Sequence, residues 1–305
     1  MIVGAVDIGT NSVRLLIAEQ NEKWRDLLRM VEITRLGEGV DKTRTIKKEA
    51  MQRTLAVLAQ YKELMERYGV ERSRIISTSA MRDATNASEF ISLVKDKLGL
   101  IIEVISGEEE GRLTFAGATG PDSLVPRTAL VLVVDVGGGS TEYIYGRHGE
   151  VLGAKSINFG SVRLTELFMR HDPPLKGELD EARAMIDRLA KPVFEEIAEN
   201  KPSLMIAVAG TATQLAAVCY GVEPYDPEKI HGSKITLAQL KSLIEKLASV
   251  RLEERKKIKG MHPKRADVVI AGALILEQTL VGLGFSEMII SEKDSLDGIA
   301  YSAVR

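Results

Sequence analysis

Val131-Leu-Val-Val-Asp-Val-Gly-Gly-Gly-Ser-Thr-Glu-Tyr-Ile-Tyr145 places an apolar, β-rich run before Asp135, three glycines and the triplet Ser140-Thr141-Glu142, then returns to β-rich residues. The pattern predicts a strand, a phosphate-sized turn and a second strand. Gly137, Gly138 and Gly139 carry no Cβ, so the backbone can fold sharply and bring several N–H groups against an anion. Asp135 stands at the mouth of that turn, where a carboxylate would hold Mg2+ beside a phosphate or orient a water.

The same grammar recurs near the N-terminus, in Gly4-Ala-Val-Asp-Ile-Gly-Thr-Asn-Ser-Val-Arg-Leu-Leu-Ile-Ala18. Asp7 takes the place of Asp135, and Gly9-Thr10-Asn11-Ser12 replaces the glycine run. One such turn alone also reads as a glycine-rich hairpin. Two copies, each between apolar strands, read as an internal duplication with paired phosphate loops facing a shared cleft.

A chain of 305 residues is long enough for two domains, each with its own core. The balance of 41 basic against 43 acidic side chains, net −2, provides no global basic field for nucleic acid. The single cysteine, Cys219, cannot form an internal disulfide, and Ala216-Ala-Val-Cys-Tyr220 reads as core. No apolar run approaches membrane-spanning length and no basic leader precedes the first strand, which predicts a soluble, unprocessed cytoplasmic chain.

Outward from the two loops, the residues alternate between strand and helix periods. Trp24 to Thr34 predicts a third strand, with Trp24 at a sheet edge. Met51, Leu55, Leu58 and Met65 recur at helical spacing until Gly69. Arg74 to Ser79 reads as a buried strand. Asn86 and Glu89 have the spacing of a capping pair for a helix to Leu98. Leu100 to Ile105 predicts another strand, running into Ser106-Gly-Glu-Glu-Glu-Gly-Arg112.

In that segment the spacing divides three acids between different tasks. Ser106 and Glu109 are set as a capping box, and Glu108 complements the helix dipole. Glu110 has no such structural assignment; it reads either as a solvated acid or as a general base on the first turn of a helix facing a cleft.

Gly117 to Pro126 predicts a linker between domains at 1–124 and 125–305. Beyond it, a strand is expected at Val151 to Ser156, a helix from Asn158-Phe-Gly-Ser161 and a long helix from Leu179 to Ala198. Lys155, Arg163 and Lys176 read as contacts for a polyanion or as solvated charges. Leu204 to Ala217 is a third strand-to-helix junction, where Gly210 and Thr211 mark either an anion site or a tight turn. Pro224 to Ser233 reads as loop, Thr236 with Gln239 as a helix cap, Arg251 to Lys259 as an exposed charged stretch and Ala266 to Val281 as a buried helix. Phe285 to Ile290 reads as the last strand, and Asp294 or Ser295 as the cap of a final helix. His148, His171, His231 and His262 have no metal-ligand spacing, which argues against zinc. The nucleotide-binding G-x-x-x-x-G-K-[ST] and G-x-G-x-x-G motifs are missing, as is the G-x-S-x-G elbow.

Six motifs occur in a family order: Val6-Asp-Ile-Gly-Thr-Asn-Ser12, Ser77-Thr-Ser-Ala-Met-Arg-Asp-Ala84, Ile105-Ser-Gly-Glu-Glu-Glu-Gly-Arg112, Val134-Asp-Val-Gly-Gly-Gly-Ser-Thr-Glu142, Asn158-Phe-Gly-Ser161 and Ala209-Gly-Thr211. In these the chain resembles the exopolyphosphatase and guanosine-pentaphosphate phosphohydrolase family, within the actin-like, sugar-kinase-like superfamily. The resemblance implies two ribonuclease H-like domains, each a mixed five-stranded sheet flanked by helices, with the site in the interdomain cleft. It also implies that the closing helix, 294–305, can pack back on the first domain.

By that resemblance Glu110 activates the attacking water and Arg82 is a phosphate-binding or cleft residue. Asp7, Asp135 and Glu142 surround Mg2+. Gly9 to Ser12 and Gly137 to Thr141 hold phosphates, and Gly210 and Thr211 mark the third anion position. The implied reaction is Mg2+-dependent hydrolysis of terminal phosphate from inorganic polyphosphate, a phosphoanhydride hydrolase activity. Guanosine pentaphosphate is the alternative substrate, and a non-catalytic polyphosphate or nucleotide sensor the alternative of another class. A kinase would need an acceptor site and an aspartate base, of which the residues give no sign. The chain looks like the short, two-domain branch, and pairing among relatives carries the expectation of a homodimer.

Overall fold

The computed structural model describes residues 1–22, 24–120, 124–147 and 150–304. His148 and part of the linker expected over 117–126 lie outside them. The chain divides into two compact units, Met1–Asp122 with Asp294–Arg305, and Ser123–Lys293.

In the first unit the order is β1 (Ile2–Ile8), β2 (Ser12–Gln20), β3 (Trp24–Ile33), α1 (Val40–Thr43), α2 (Lys48–Arg67), β4 (Arg72–Ser77), α3 (Ser79–Asp83), α4 (Ala87–Leu98), β5 (Glu103–Val104) and α5 (Gly107–Ala118). Among the described residues these strands form a five-stranded sheet, β3-β2-β1-β4-β5, antiparallel on the β3 side and parallel on the β5 side.

The second unit contains β6 (Val131–Val136), β7 (Thr141–Arg147), β8 (Glu150–Ile157), α6 (Ser161–Phe168), α7 (Lys176–Asn200), β9 (Leu204–Val208) and α8 (Ala209–Tyr220). It continues through α9 (Pro227–Ile230), β10 (Lys234–Thr236), α10 (Leu237–Ala248), α11 (Leu252–Arg255), α12 (Val269–Leu283) and β11 (Glu287–Ile290). The closing helix, α13 (Ser295–Ala303), belongs to the first unit.

Among the described residues the second sheet runs β10-β11-β9-β6-β7-β8 and is six-stranded, which corrects the expectation of five strands in each. The additional strand, β10, is three residues long and pairs antiparallel with β11 at the sheet edge. Apart from it the two units repeat one plan: an antiparallel three-strand meander followed by parallel strands beside its first member.

Each sheet face finds a cover because the strands alternate. Val13, Leu15 and Ile17 of β2 face a core shared with Leu58 and Tyr61 of α2 and Phe90 and Val94 of α4. Leu16 and Ala18, one residue out of phase, face Leu113 of α5 and Leu296 and Ile299 of α13. Strands buried on both faces read as unbroken apolar runs, which explains the loop-flanking stretches. In the second unit α12 is buried nearly all round among α7, α10 and the sheet.

Four local expectations change. The strand expected over 100–105 shrinks to two exposed residues, with Ile101 71% exposed, because β5 is the sheet edge. Asn86 does not cap α4; its amide bridges to both backbone groups of Ile46, at 2.8 and 3.0 Å. The expected loop at 224–233 includes the helical turn α9, started by the Asp226 side chain accepting from Glu228 N. In the charged stretch 251–259, Arg255 is buried and donates to the carbonyls of Leu247, Val250 and Ala266.

Candidate active site

In the first unit the β1–β2 register ends with Asp7 opposite Arg14 and Ile8 opposite Val13, leaving residues 9–12 as the turn. Gly9 N donates to Ser12 O at 2.9 Å. The segment 34–37 holds the turn from behind: Gly37 N donates to Thr10 O, and Thr34 N and Arg35 N donate to Asn11 O. With these carbonyls tied back, the N–H groups of Thr10 and Asn11 donate to no other described residue. That is the arrangement an anion nest requires. The Thr10 hydroxyl shares a hydrogen bond of 2.8 Å with the Ser79 hydroxyl at the start of α3.

The turn of the second unit is built alike. Asp135 lies opposite Glu142 and Val136 opposite Thr141, and Gly137 N donates to Ser140 O at 3.0 Å. Here the first turn of α6 ties the carbonyls back, with Ser161 N donating to Gly137 O and Val162 N and Arg163 N to Gly138 O. The N–H groups of Gly138 and Gly139 donate to no other described residue. Gly160 is required by contact: a Cβ there would lie 2.5 Å from the Gly138 carbonyl.

Two of the expected phosphate-binding hydroxyls are engaged elsewhere. Thr141 Oγ1 donates to Phe159 O at 2.7 Å, and Thr211 Oγ1 donates to Val136 O at 3.0 Å. Both brace the loop from within. Thr211 thereby ties the start of α8 to the end of β6, and Ala209 before it takes a left-handed φ of 62° to make the turn. Gly210 lies under the guanidinium of Arg265, with no room for a Cβ between them. Of the expected polyanion contacts, Lys155 pairs with Glu196 at 3.1 Å and Arg163 donates to Asn158 O.

Glu110 sits on the first turn of α5, whose N-cap Ser106 accepts from Glu109 N. Glu109 turns its carboxylate to Arg74 at 2.6 Å, leaving the reciprocal half of the expected capping box unmade. Arg82, from α3, donates through Nη1 to Glu110 Oε2 and to Ile105 O, each at 2.9 Å. The structure thus brings Arg82 and Glu110 together. Burial pushes the Glu110 carboxyl up to about 7; Arg82 opposes that shift and the negative charge of Asp7 adds to it.

Asp7 is buried. Its Oδ2 accepts from Arg14 and from Ser295, while its Oδ1 is buried and makes no hydrogen bond among the described residues. In the second unit Glu142 Oε1 accepts from Ser156 Oγ at 2.7 Å. Asp135 and Glu142 are both buried and lie opposite each other on adjacent strands.

No group of three or more His, Cys, Asp or Glu side chains among the described residues could hold a metal ion. Mg2+ does not need one, since it keeps several waters and commonly takes one or two carboxylates together with substrate phosphates. The orphaned Asp7 Oδ1 and the cross-strand Asp135–Glu142 pair fit that chemistry.

Residue-by-residue reading missed Arg14, Ser79, Ser156 and Arg265. Only Arg14 left a signal. Asp7 and Arg14 are seven residues apart, as are Asp135 and Glu142, so the duplicated hairpins place them at equivalent cross-strand positions.

The Ppx/GppA phosphatase family model matches residues 16–305. Exopolyphosphatase 2 of Mycobacterium tuberculosis is 38% identical over 314 residues, covering 98% of each chain. A crystal structure of the Aquifex aeolicus member of the Ppx/GppA protein family superposes with a TM-score of 0.83 at 36% identity, covering 100% of this chain and 97% of that one. The crystal structure of an exopolyphosphatase from Cytophaga hutchinsonii gives a TM-score of 0.91 at 28% identity, covering 99% and 97%. Among the described residues no helix is long and apolar enough to cross a membrane.

Proposed function

The chain belongs to the Ppx/GppA phosphatase family, and from that premise we propose that it is an exopolyphosphatase, releasing terminal phosphate from inorganic polyphosphate. The observation that carries the reading is Glu110: a carboxylate at a helix start, fixed by Arg82, with its pKa raised to about 7. A base poised near the working pH has the strongest combination of correct protonation and proton affinity.

In the proposed reaction Glu110 takes a proton from water as the water oxygen bonds to the terminal phosphorus. The bridging P–O bond breaks, and orthophosphate and a polyphosphate one unit shorter are formed. Phosphoryl transfer of this kind needs positioning and charge stabilisation more than covalent help. The N–H groups of Thr10, Asn11, Gly138 and Gly139, which donate to no other described residue, support the assignment of both turns to phosphate oxygens. Of the carboxylates assigned to Mg2+, Asp7, Asp135 and Glu142, one or two would hold the cation together with substrate phosphates. The cation, when bound, neutralises phosphate charge. A cytoplasmic homodimer belongs to the same reading; the single, half-buried Cys219 suits a reducing compartment.

The test is phosphate release with Mg2+ from short polyphosphate, long polyphosphate and guanosine pentaphosphate in parallel, with Glu110→Gln as control. Release from polyphosphate that falls by about three orders of magnitude in the variant supports the reading. Release from the nucleotide alone transfers the assignment to guanosine pentaphosphate, and binding without release from any of the three overturns the hydrolase.

A further inference from the structure

One guanidinium in the first unit is divided between two carboxylates. Arg14 Nη2 donates to Asp7 Oδ2 and to Ser295 Oγ, the latter at 2.7 Å, while Nη1 donates to Asp294 Oδ2. Asp294 is the N-cap of α13, and its other oxygen accepts from Leu296 N at 2.9 Å. Its own N–H donates to Asp297 Oδ2, and Asp297 is held in turn by Arg29 at 2.7 Å. Asp294 and Asp297 are both buried. The closing helix therefore presents a fixed carboxylate to Arg14, 280 residues away in sequence.

An arginine facing one carboxylate prefers to engage both of its oxygens with two parallel N–H groups. Arg14 does not do so with Asp7, because Nη1 is held by Asp294. Asp7 Oδ1 is left without a hydrogen bond among the described residues. We propose that Asp294 is a positioning residue for the phosphate loop: it restrains Arg14 to a one-oxygen contact with Asp7 and so keeps Asp7 Oδ1 open to a divalent cation. The inference rests on the reading of Asp7 as a cation ligand.

If Asp294 loses its charge, the guanidinium can pivot onto both oxygens of Asp7 and compete with the cation. Removing Arg14 as well removes the competitor. This gives the proposal a signature of opposite sign to simple damage, in which a second lesion adds to the first.

Mn2+ binding to the full chain without substrate, followed by the paramagnetic resonance of free Mn2+, tests it. Asp294→Asn keeps a side-chain acceptor for Leu296 N and removes the charge. It is expected to weaken Mn2+ binding about tenfold. Adding Arg14→Gln is expected to restore binding to wild-type strength or better. Asp294→Ser, a second uncharged N-cap, should behave like Asp294→Asn, and circular dichroism establishes that each variant is folded. Unchanged affinity in both Asp294 variants overturns the proposal, as does failure of Arg14→Gln to restore it. Asp7→Asn separates the two levels. Loss of Mn2+ binding there with unchanged Asp294 variants removes this inference alone, whereas wild-type binding in Asp7→Asn removes the cation role of Asp7 and this inference with it.

Discussion

Arg82 anchors Glu110 to the backbone, since one nitrogen of its guanidinium serves both Glu110 Oε2 and the carbonyl of Ile105 at 2.9 Å. The contact orients the carboxylate and also holds its pKa down against burial. Arg82→Gln removes that opposition, so the Glu110 pKa rises further. Glu110 then needs a higher pH to lose its proton. Wild type is expected to lose kcat/KM as pH falls through about 7, and in Arg82→Gln this acid limb moves to higher pH. A pH–rate profile checks the direction; an acid limb that stays in place while activity drops uniformly would mean Arg82 acts only on phosphate.

Burial of Glu110 also affects stability, and with a definite sign. Its folded pKa, about 7, is raised above the ordinary 4.5, so its contribution is fully present below about 4.5 and is lost as pH rises to about 7. Glutamine cannot ionise. Glu110→Gln should therefore match wild-type stability near pH 4.5 and exceed it at pH 8, by on the order of 3 kcal/mol. Calorimetry at the two pH values decides it, and a variant less stable at pH 8 would falsify the account.

The duplicated hairpins were legible because they rest on local rules: apolar alternation, a glycine turn and an acid at fixed offset. Elimination narrowed Glu110 to a solvated acid or a general base, since Ser106 and the helix dipole accounted for its neighbours, and only the family resemblance chose between them. Distant partners were not. Arg14 meets Asp294 only through the closing helix, and Asn86 leaves its cap for Ile46, 40 residues away. Arg255 looked exposed amid six charged neighbours, yet it satisfies carbonyls at the end of α10 that no local pattern announces. β10 was hidden for another reason: three residues are too few to establish a period.

Gly160 tests whether the second turn is shaped from behind. A methyl group there meets the Gly138 carbonyl at 2.5 Å, and that carbonyl is the one held by Val162 N and Arg163 N. Gly160→Ala must displace the backbone of the glycine run. A cost of about 2 kcal/mol in stability is expected, together with a rise in KM for polyphosphate that exceeds the fall in kcat. Thermal unfolding and steady-state kinetics measure both. Unchanged KM would show that the turn does not bind substrate phosphate.

Gly298 links the closing helix to α5, the helix that carries Glu110. Its Cα face lies against the backbone of Leu113 in α5, and a Cβ would overlap the Leu113 carbonyl; across the same contact, a Cβ on Gly117 would overlap the carbonyl of Asp294. Neither obstacle is a flexible side chain, so Gly298→Ala must push α13 and α5 apart. The cost is expected to be about 3 kcal/mol. Because α5 carries Glu110 and α13 begins at Asp294, separation should lower kcat before the protein unfolds globally. Activity and near-ultraviolet circular dichroism recorded over one temperature ramp distinguish the cases. Loss of activity at a temperature where the spectrum is still native supports coupling through this contact, and coincident loss shows that the glycine pair serves stability alone.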